Sequence, residues 1–360
     1  AGTRGLQHPR PLAVAPAERT FTVCTTMNEL FQYIECAGGA YERGRQYGEA
    51  AREAIRANLT ARQPRPPDPA LVRTACAMLE RHAAEVYAEL QGLAEGSGAP
   101  LEKLVQEACT GSPPPAQCTS MAIAAGADGP VLGKNNDGAD DGRRWVVRRT
   151  NPDHGHPMLQ VLSAGWLSGL DTMNAAGLVN GHSSVGSALA RERDSLEIRL
   201  WTHALMQRCG TAADFLDGLR ALPLNGKGFN LVVADAQGDT AVLECAVPRV
   251  VVRDRGADFV YATNHYVTPE LRTADGRTPR KKEISTCRHG FLEWTAATAP
   301  PSTTADVRQL LGSHAPWAPC RHGGLHESWT LWSMLAEPAA RRMHVADGPP
   351  CTTAYTTHQL

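Results

Sequence analysis

The chain has 360 residues, 42% hydrophobic and 20% charged, the balance of a soluble globular protein with material for a sizeable core. A formal net charge of −1 argues against general nucleic-acid binding, which needs a basic face. No run reaches the roughly 18–20 apolar residues of a membrane span, so neither nucleic acid nor membrane is an expected partner.

Residues 1–20 are rich in Pro, Arg and small residues and are expected to be a flexible segment. They lack the apolar stretch of an export signal, so the expected location is cytoplasmic. Residues 21–360 are expected to form one domain. Phe21 to Ile34 holds a first strand. "GGAYERGRQYGEAAREAIRANL" predicts one helix, with Tyr47, Ala51, Ile55 and Leu59 on one face. The proline-rich "ARQPRPPDP" follows. Asp68 reads as an N-cap and Pro69 as the first helical residue. Leu71, Ala75, Leu79, Val86, Leu90 and Leu93 continue a helical stripe to Gly96. A short helix from Pro100 to about Ala108 completes a mostly helical first third.

After "PPPAQ" the pattern changes. "CTSMAIAA", turn "GADG" and "PVLGKNND" predict a β-hairpin. "RWVVRRT", "PMLQVLSA", "GLDTM", turn "NAAG" and "LVNGHSS" continue as strands and turns. Asp194 or Ser195 is the expected cap of a helix through "SLEIRLWTHALMQRC", and Thr211 of another, "AADFLDGLRAL". "FNLVVADA", "DTAVLECA", "RVVVRD" and "DFVYATNHY" are strands. Helices at "KKEISTCRHGFLEW" and "TTADVRQLLG" follow, then a final hairpin from "TLWSMLAE" and "RRMHVAD". Helices come in blocks and strands in hairpin-linked blocks. That predicts an α+β fold of two stacked antiparallel sheets with helices on their outer faces.

Ten cysteines are spread along the chain without a CxxC pair, so mostly buried, reduced thiols are expected rather than disulfides or a zinc ribbon. "CRH" occurs at 287–289 and 320–322, but Cys and His one residue apart is a poor metal spacing, and no metal is expected. Most cysteines are structural; Cys118 differs by position. It follows a proline break and opens a strand, with the hydroxyls of Thr119 and Ser120 beside it. A thiol is readily activated given a base. The return strand brings Asn135, Asn136 and Asp137 back toward it, although these are also ordinary turn residues. Asn264, after the strand in "YATNHY", is either an oxyanion donor or a strand-end cap. Arg321 in "WAPCRHGG" is either a rigidly held cation or a solvated loop residue. "GHSSVG" is not a nucleophile elbow, no phosphate or dinucleotide loop is present, and no papain-like signature surrounds Cys118.

In order, "CTS", "GKNND", "MNAAGLVNGHSS", "GFNLVVADAQGDTAVLE", "TNHY", "WAPCRHG" and "HVADGPPC" resemble the acyl-coenzyme A:6-aminopenicillanate acyltransferase (isopenicillin-N acyltransferase) family of N-terminal-nucleophile (Ntn) hydrolases. The resemblance spans roughly residues 36 to 355. It implies a four-layer αββα sandwich. It implies autoproteolysis between Gln117 and Cys118, giving segments 1–117 and 118–360 that stay associated. The freed α-amino group, titrating at about 7.7–8.0, would serve as base for the Cys118 thiol. An acyl group would pass to Cys118 as a thioester, then to water or an amine. The implied partners are a small-molecule acyl donor, a coenzyme A thioester among the options, with an amine acceptor, or an amide substrate. No cofactor is implied, and natural-product biosynthesis is the implied setting.

Carried over by motif, Cys118 is the nucleophile, Asp137 the acid that organises the site and its cleavage, Asn264 the oxyanion donor and Arg321 an active-site cation. Thr119, Asn135 and His265 are supporting residues, and Glu244 matches a family glutamate of unassigned role. Two departures stand out: Gln117 where the fungal acyltransferase has Gly, and Asn136 where the family often has Trp. Without cleavage, His265 or His322 would have to act as base. A non-catalytic metabolite-binding relative and a zinc enzyme are the other readings.

Overall fold

The computed structural model describes residues 24–28, 30–61, 66–110, 117–139, 141–189, 195–324 and 328–360. The expected flexible segment 1–20, the start of the Phe21 strand, the middle of the proline-rich connector, Pro113–Ala116 and Asp194 lie outside these. Strands β1 (Cys24–Asn28) and β2 (Phe31–Gly38) precede five helices: α1 (Ala40–Ala50), α2 (Arg52–Ala61), α3 (Pro69–His82), α4 (Ala84–Ser97) and α5 (Leu101–Thr110). Then come β3 (Thr119–Gly126), β4 (Gly129–Gly138), β5 (Trp145–Pro152), β6 (Met158–Ser163), β7 (Thr172–Asn174), β8 (Val179–Ser184) and β9 (Leu196–Glu197). Helices α6 (Ile198–Arg208) and α7 (Ala212–Arg220) lead to β10 (Leu224–Asn225), β11 (Phe229–Ala234), β12 (Thr240–Ala246), β13 (Arg249–Arg255) and β14 (Phe259–Ala262). The chain ends with α8 (Pro279–Thr298), α9 (Thr304–Leu311), β15 (Trp329–Glu337), β16 (Arg342–Ala346) and β17 (Thr356–Gln359).

One sheet has the order β1-β2-β5-β6-β7-β8-β11-β12-β13, the other β14-β3-β4-β15-β16-β17. Strand alternation sorts the side chains into layers. Leu231 and Val233 face the cluster containing Tyr47, Leu90 and Phe215, whereas Val232 and Ala234 face the second sheet. On β3, Ala122 joins that inter-sheet core, and Met121 and Ile123 pack on Leu292 of α8 and Val307 and Leu311 of α9. The layers are therefore helix, sheet, sheet, helix, as expected. Pairing is antiparallel in both sheets apart from β2 with β5, which run parallel. No helix among the described residues is long and apolar enough to cross a membrane.

Several expected boundaries move. The single helix from Ala40 breaks at Ala51, and the long stripe to Gly96 breaks at Ala83, whose φ of −147° and ψ of 51° leave the helical region. The cap of α6 is Glu197 rather than Asp194 or Ser195. Its carboxylate accepts from Arg199 N–H and Leu200 N–H, while Leu196 and Glu197 pair with Leu224 and Asn225. Asp68 and Thr211 cap as expected, and β17 adds a strand to the closing hairpin.

The breaks let α4 lie directly on α1. A Cβ on Gly44 would stand 2.0 Å from Glu89 O, and one on Gly92 1.9 Å from Tyr41 O. This contact presents buried Glu89 to Arg43 (3.2 Å), to Arg148 of β5 (2.5 Å) and to His203 of α6 (3.2 Å). Gly92→Ala should therefore cost about 1–3 kcal/mol through overpacking, read as a lowered melting temperature. A variant that melts with the wild type would contradict the backbone contact.

Candidate active site

Hairpin register builds the site. Thr119 pairs with Asn135 across β3 and β4, and Gln117 N–H extends the ladder by donating to Asp137 O at 3.1 Å. Cys118 thus stands beside Asn136, whose Oδ1 accepts from the thiol at 3.6 Å. Both sit on the inter-sheet side of the hairpin. Neighbours on the strand face the other way: Asn135 donates to Leu311 O of α9 (2.9 Å) and accepts from Ser333 (2.7 Å). Asn135 therefore braces the hairpin against α9, on the face away from the thiol.

On the opposite side lies the residue the sequence reading missed. Arg288, on α8, is fully buried. Its Nη1 donates to Gln117 O at 2.5 Å, to Cys118 O, to Thr119 Oγ1 at 3.1 Å and to Asn264 Oδ1 at 3.2 Å. Its Nη2 donates to Gln117 Oε1 at 3.3 Å. One guanidinium therefore gathers both carbonyls flanking the Gln117–Cys118 peptide bond, together with Thr119 and Asn264.

Asp137 is buried on that same side. Its Oδ1 accepts from Thr330 Oγ1 at 2.8 Å, and Oδ2 lies 3.4 Å from Arg321 Nε. Burial pushes its carboxyl up to about 6, against the pull of Arg321 and Arg288. Arg321 is buried too, and among the described residues its guanidinium nitrogens have no hydrogen-bond partner.

Asn264 is pinned at three points: its N–H donates to Ser285 Oγ (2.7 Å), its Nδ2 donates to Ser184 O (2.7 Å), and its Oδ1 accepts from Arg288. Glu244, left without a role above, accepts from Val267 N–H and Thr268 N–H and so fixes the turn after Asn264.

Neither proposed histidine base bonds the thiol. His265 Nδ1 lies 2.8 Å from Ser285 Oγ, and burial together with His289 and Arg288 pushes its pKa down to about 3. His322 meets Cys320, Cys351 and His314 instead. Those four residues form the one grouping of metal-ligating side chains among the described residues.

The inter-sheet side of the hairpin opens on a cleft. Trp145, Val161, Leu162, Trp166, Phe229 and Leu331 line it, with Asn136, Asp171, His182, Ser184 and Arg199 among them. Lys134 Nζ lies 2.7 Å from both Asp171 oxygens and 2.8 Å from His182 Nδ1. Burial works against Asp171, but His182 and Lys134 outweigh it and hold the carboxyl near about 2. The Cys118 thiol is pushed up by burial, with Lys134 and the Asp137 N–H pulling the other way. Lys227, also within electrostatic reach of Cys118, is pushed down to about 8 by burial and Arg277.

The family model described as acyl-coenzyme A:6-aminopenicillanic acid acyl-transferase matches residues 124–350, a range that begins just after Cys118 and includes Asp137, Asn264, Arg288 and Arg321. No curated protein matches the chain. Among solved structures, penicillin V acylase from Agrobacterium tumefaciens is 15% identical over 68% of this chain and 86% of its own, with a TM-score of 0.42. A variant of conjugated bile acid hydrolase from Clostridium perfringens is 10% identical over 68% and 97%, with a TM-score of 0.41. The Caenorhabditis elegans ortholog of N-acylethanolamine-hydrolyzing acid amidase is 12% identical over 68% and 100%, with a TM-score of 0.43.

Asp137 gives a pH test. A carboxyl whose folded pKa is raised binds its proton more tightly folded than unfolded. Its penalty is absent below the unfolded pKa and grows as pH rises through the folded one. From about pH 4 to pH 7, the Cys118→Ala protein should lose roughly 2 kcal/mol relative to Cys118→Ala/Asp137→Asn. Urea unfolding at the two pH values measures this, and parallel stability curves would refute the raised pKa.

Proposed function

The chain belongs to the acyl-coenzyme A:6-aminopenicillanic acid acyl-transferase family, and from that premise we propose a cysteine amidohydrolase or N-acyltransferase that first cuts itself before Cys118. The observation that carries this reading is the 2.5 Å contact of Arg288 Nη1 with Gln117 O. In the cut, Cys118 Sγ adds to the Gln117 carbonyl carbon, and the oxygen becomes an oxyanion against Arg288. The C–N bond breaks, the thiol proton ends on the departing Cys118 nitrogen, and Gln117 is left as a thioester on Cys118. Water then hydrolyses the thioester. The products are the Gln117 carboxylate, a free thiol and a free α-amino group.

That amino group is the base for the second reaction, since its pKa of about 7.7–8.0 lies near working pH. It takes the thiol proton as sulfur attacks a substrate acyl carbon and returns it to the leaving group. Water resolves the thioester in a hydrolase, an amine in a transferase. Acyl donors in this reading are an amide or a thioester such as an acyl-coenzyme A. Arg288 and a second N–H of Asn264 would face the tetrahedral oxygen. The aromatic and aliphatic cleft suits an apolar acyl group. The buried, protonated thiol of the uncut chain fits an inert precursor. The parallel pairing of β2 with β5, and Glu89 held by Arg148 and His203, would keep the two segments together.

Intact mass and denaturing gels of purified wild type should give segments 1–117 and 118–360, eluting together under native conditions. Cys118→Ala should remain one chain without turnover. Arg288→Ala should slow self-cleavage by about 10²–10³, the cost of one oxyanion donor, with circular dichroism confirming its fold. Turnover by an uncut 360-residue chain would remove the α-amino base. Wild-type cleavage in Arg288→Ala would remove the oxyanion role.

A further inference from the structure

Cys320, Arg321 and His322 run as an extended segment beside the start of β15. His322 bridges Trp329, Arg321 N–H donates to Thr330 Oγ1 at 3.0 Å, and Thr330 N–H donates to Arg321 O at 3.0 Å. Alternate side chains of an extended segment point to opposite sides. Arg321 goes inward to Asp137, and Cys320 and His322 go outward together.

Outside, they meet His314, just beyond α9, and Cys351, from the connection between β16 and β17. All four donor atoms lie within 4.8 Å of one another. His314 Nε2 is 3.1 Å from His322 Nε2, which is 3.2 Å from Cys351 Sγ and 3.6 Å from Cys320 Sγ. The two sulfurs are 3.5 Å apart. Zinc bound tetrahedrally at about 2.3 Å to sulfur and 2.0–2.1 Å to nitrogen gives ligand–ligand edges of about 3.3–3.8 Å. The observed spacings already approach that figure without any rearrangement of the backbone.

We propose that His314, Cys320, His322 and Cys351 form a Cys2His2 zinc site that fixes the backbone on both sides of Arg321. Two thiolates and two imidazoles in a tetrahedron select zinc, whereas calcium and magnesium need oxygen donors. Four protein ligands leave no open coordination position, so the ion is structural and takes no part in acyl transfer. It ties the segment after α9 to the connection before β17, and Arg321 sits between two of its ligands. The sequence reading discounted this set because Cys-x-His is a poor knuckle. The missing half of the site, His314 and Cys351, is contributed by other parts of the chain.

Full-length protein with any affinity tag removed, dialysed extensively, should carry about one zinc per chain by elemental analysis. Replacement by cobalt(II) should give the visible bands of a tetrahedral thiolate site. Cys118→Ala should keep the metal, and Cys320→Ser and His314→Ala should lose it. Should those variants fail to fold, chelator treatment of the Cys118→Ala protein should release zinc and expose Cys320 and Cys351 to alkylation together. A metal-free protein with both thiols freely alkylated would overturn the proposal. So would a Cys320–Cys351 disulfide in peptide mapping, or full zinc content in folded Cys320→Ser.

Discussion

A buried guanidinium governs this active site. Arg288 has left water entirely, and burial pushes its pKa down. A buried charge persists only where acceptors or counter-charge surround it. Here the acceptors are mostly main-chain and side-chain oxygens of Gln117, Cys118, Thr119 and Asn264, all neutral. The nearest carboxylate, Asp137, is shared with a second buried cation, Arg321. Two cations against one reluctant carboxyl leave the pocket short of negative charge while Cys118 is a neutral thiol. A developing oxyanion on Gln117, as in the proposed self-cleavage, would supply what is lacking. In the proposed cut, that electrostatic deficit would favour the negative charge developing on the Gln117 oxygen.

The parts of this arrangement legible in the sequence were those set by neighbours along the chain. Asp68 and Thr211 announce their helices because a cap bonds its own first turn. The β3–β4 hairpin is written in a short turn between two strand-like runs, and it carries Cys118 and Asp137 to one end. Which face each residue takes was not legible. Adjacent strand residues diverge, so Asn136 reaches the thiol and Asn135 reaches α9. That choice depends on which side the second sheet packs. Arg288 was hidden for a different reason: it contacts Gln117 across 171 positions, and in sequence it is one basic residue in a charged helix. Ala51 and Ala83 broke expected helices without any local signal, because packing of α1 on α4 overrides alanine's preference.

The architecture separates what must stay rigid from what must change. β3 is paired on both sides, with β14 and with β4. A break before Thr119 and Cys118 would release a chain end without releasing the strand that aims the thiol. Asn264 follows β14, Asp137 ends β4, and both strands flank β3 in one sheet. Arg288 and Ser285 reach the same point from α8. Arg288 thus reaches Gln117 and Thr119 where one sheet meets its outer helix, while the Cys118 thiol and the cleft lie on the sheet's other face.

Gln117 is the position at which family resemblance and structure bear on each other most directly. Glycine there brings freedom in the backbone dihedrals and no side chain. Glutamine adds something glycine lacks: its Oε1 accepts from Arg288 Nη2 while its carbonyl accepts from Nη1. Two contacts from one residue orient the guanidinium plane, as a bidentate partner does. Where the fungal pattern has glycine, this chain thus has a side chain that orients the guanidinium facing the Gln117 carbonyl.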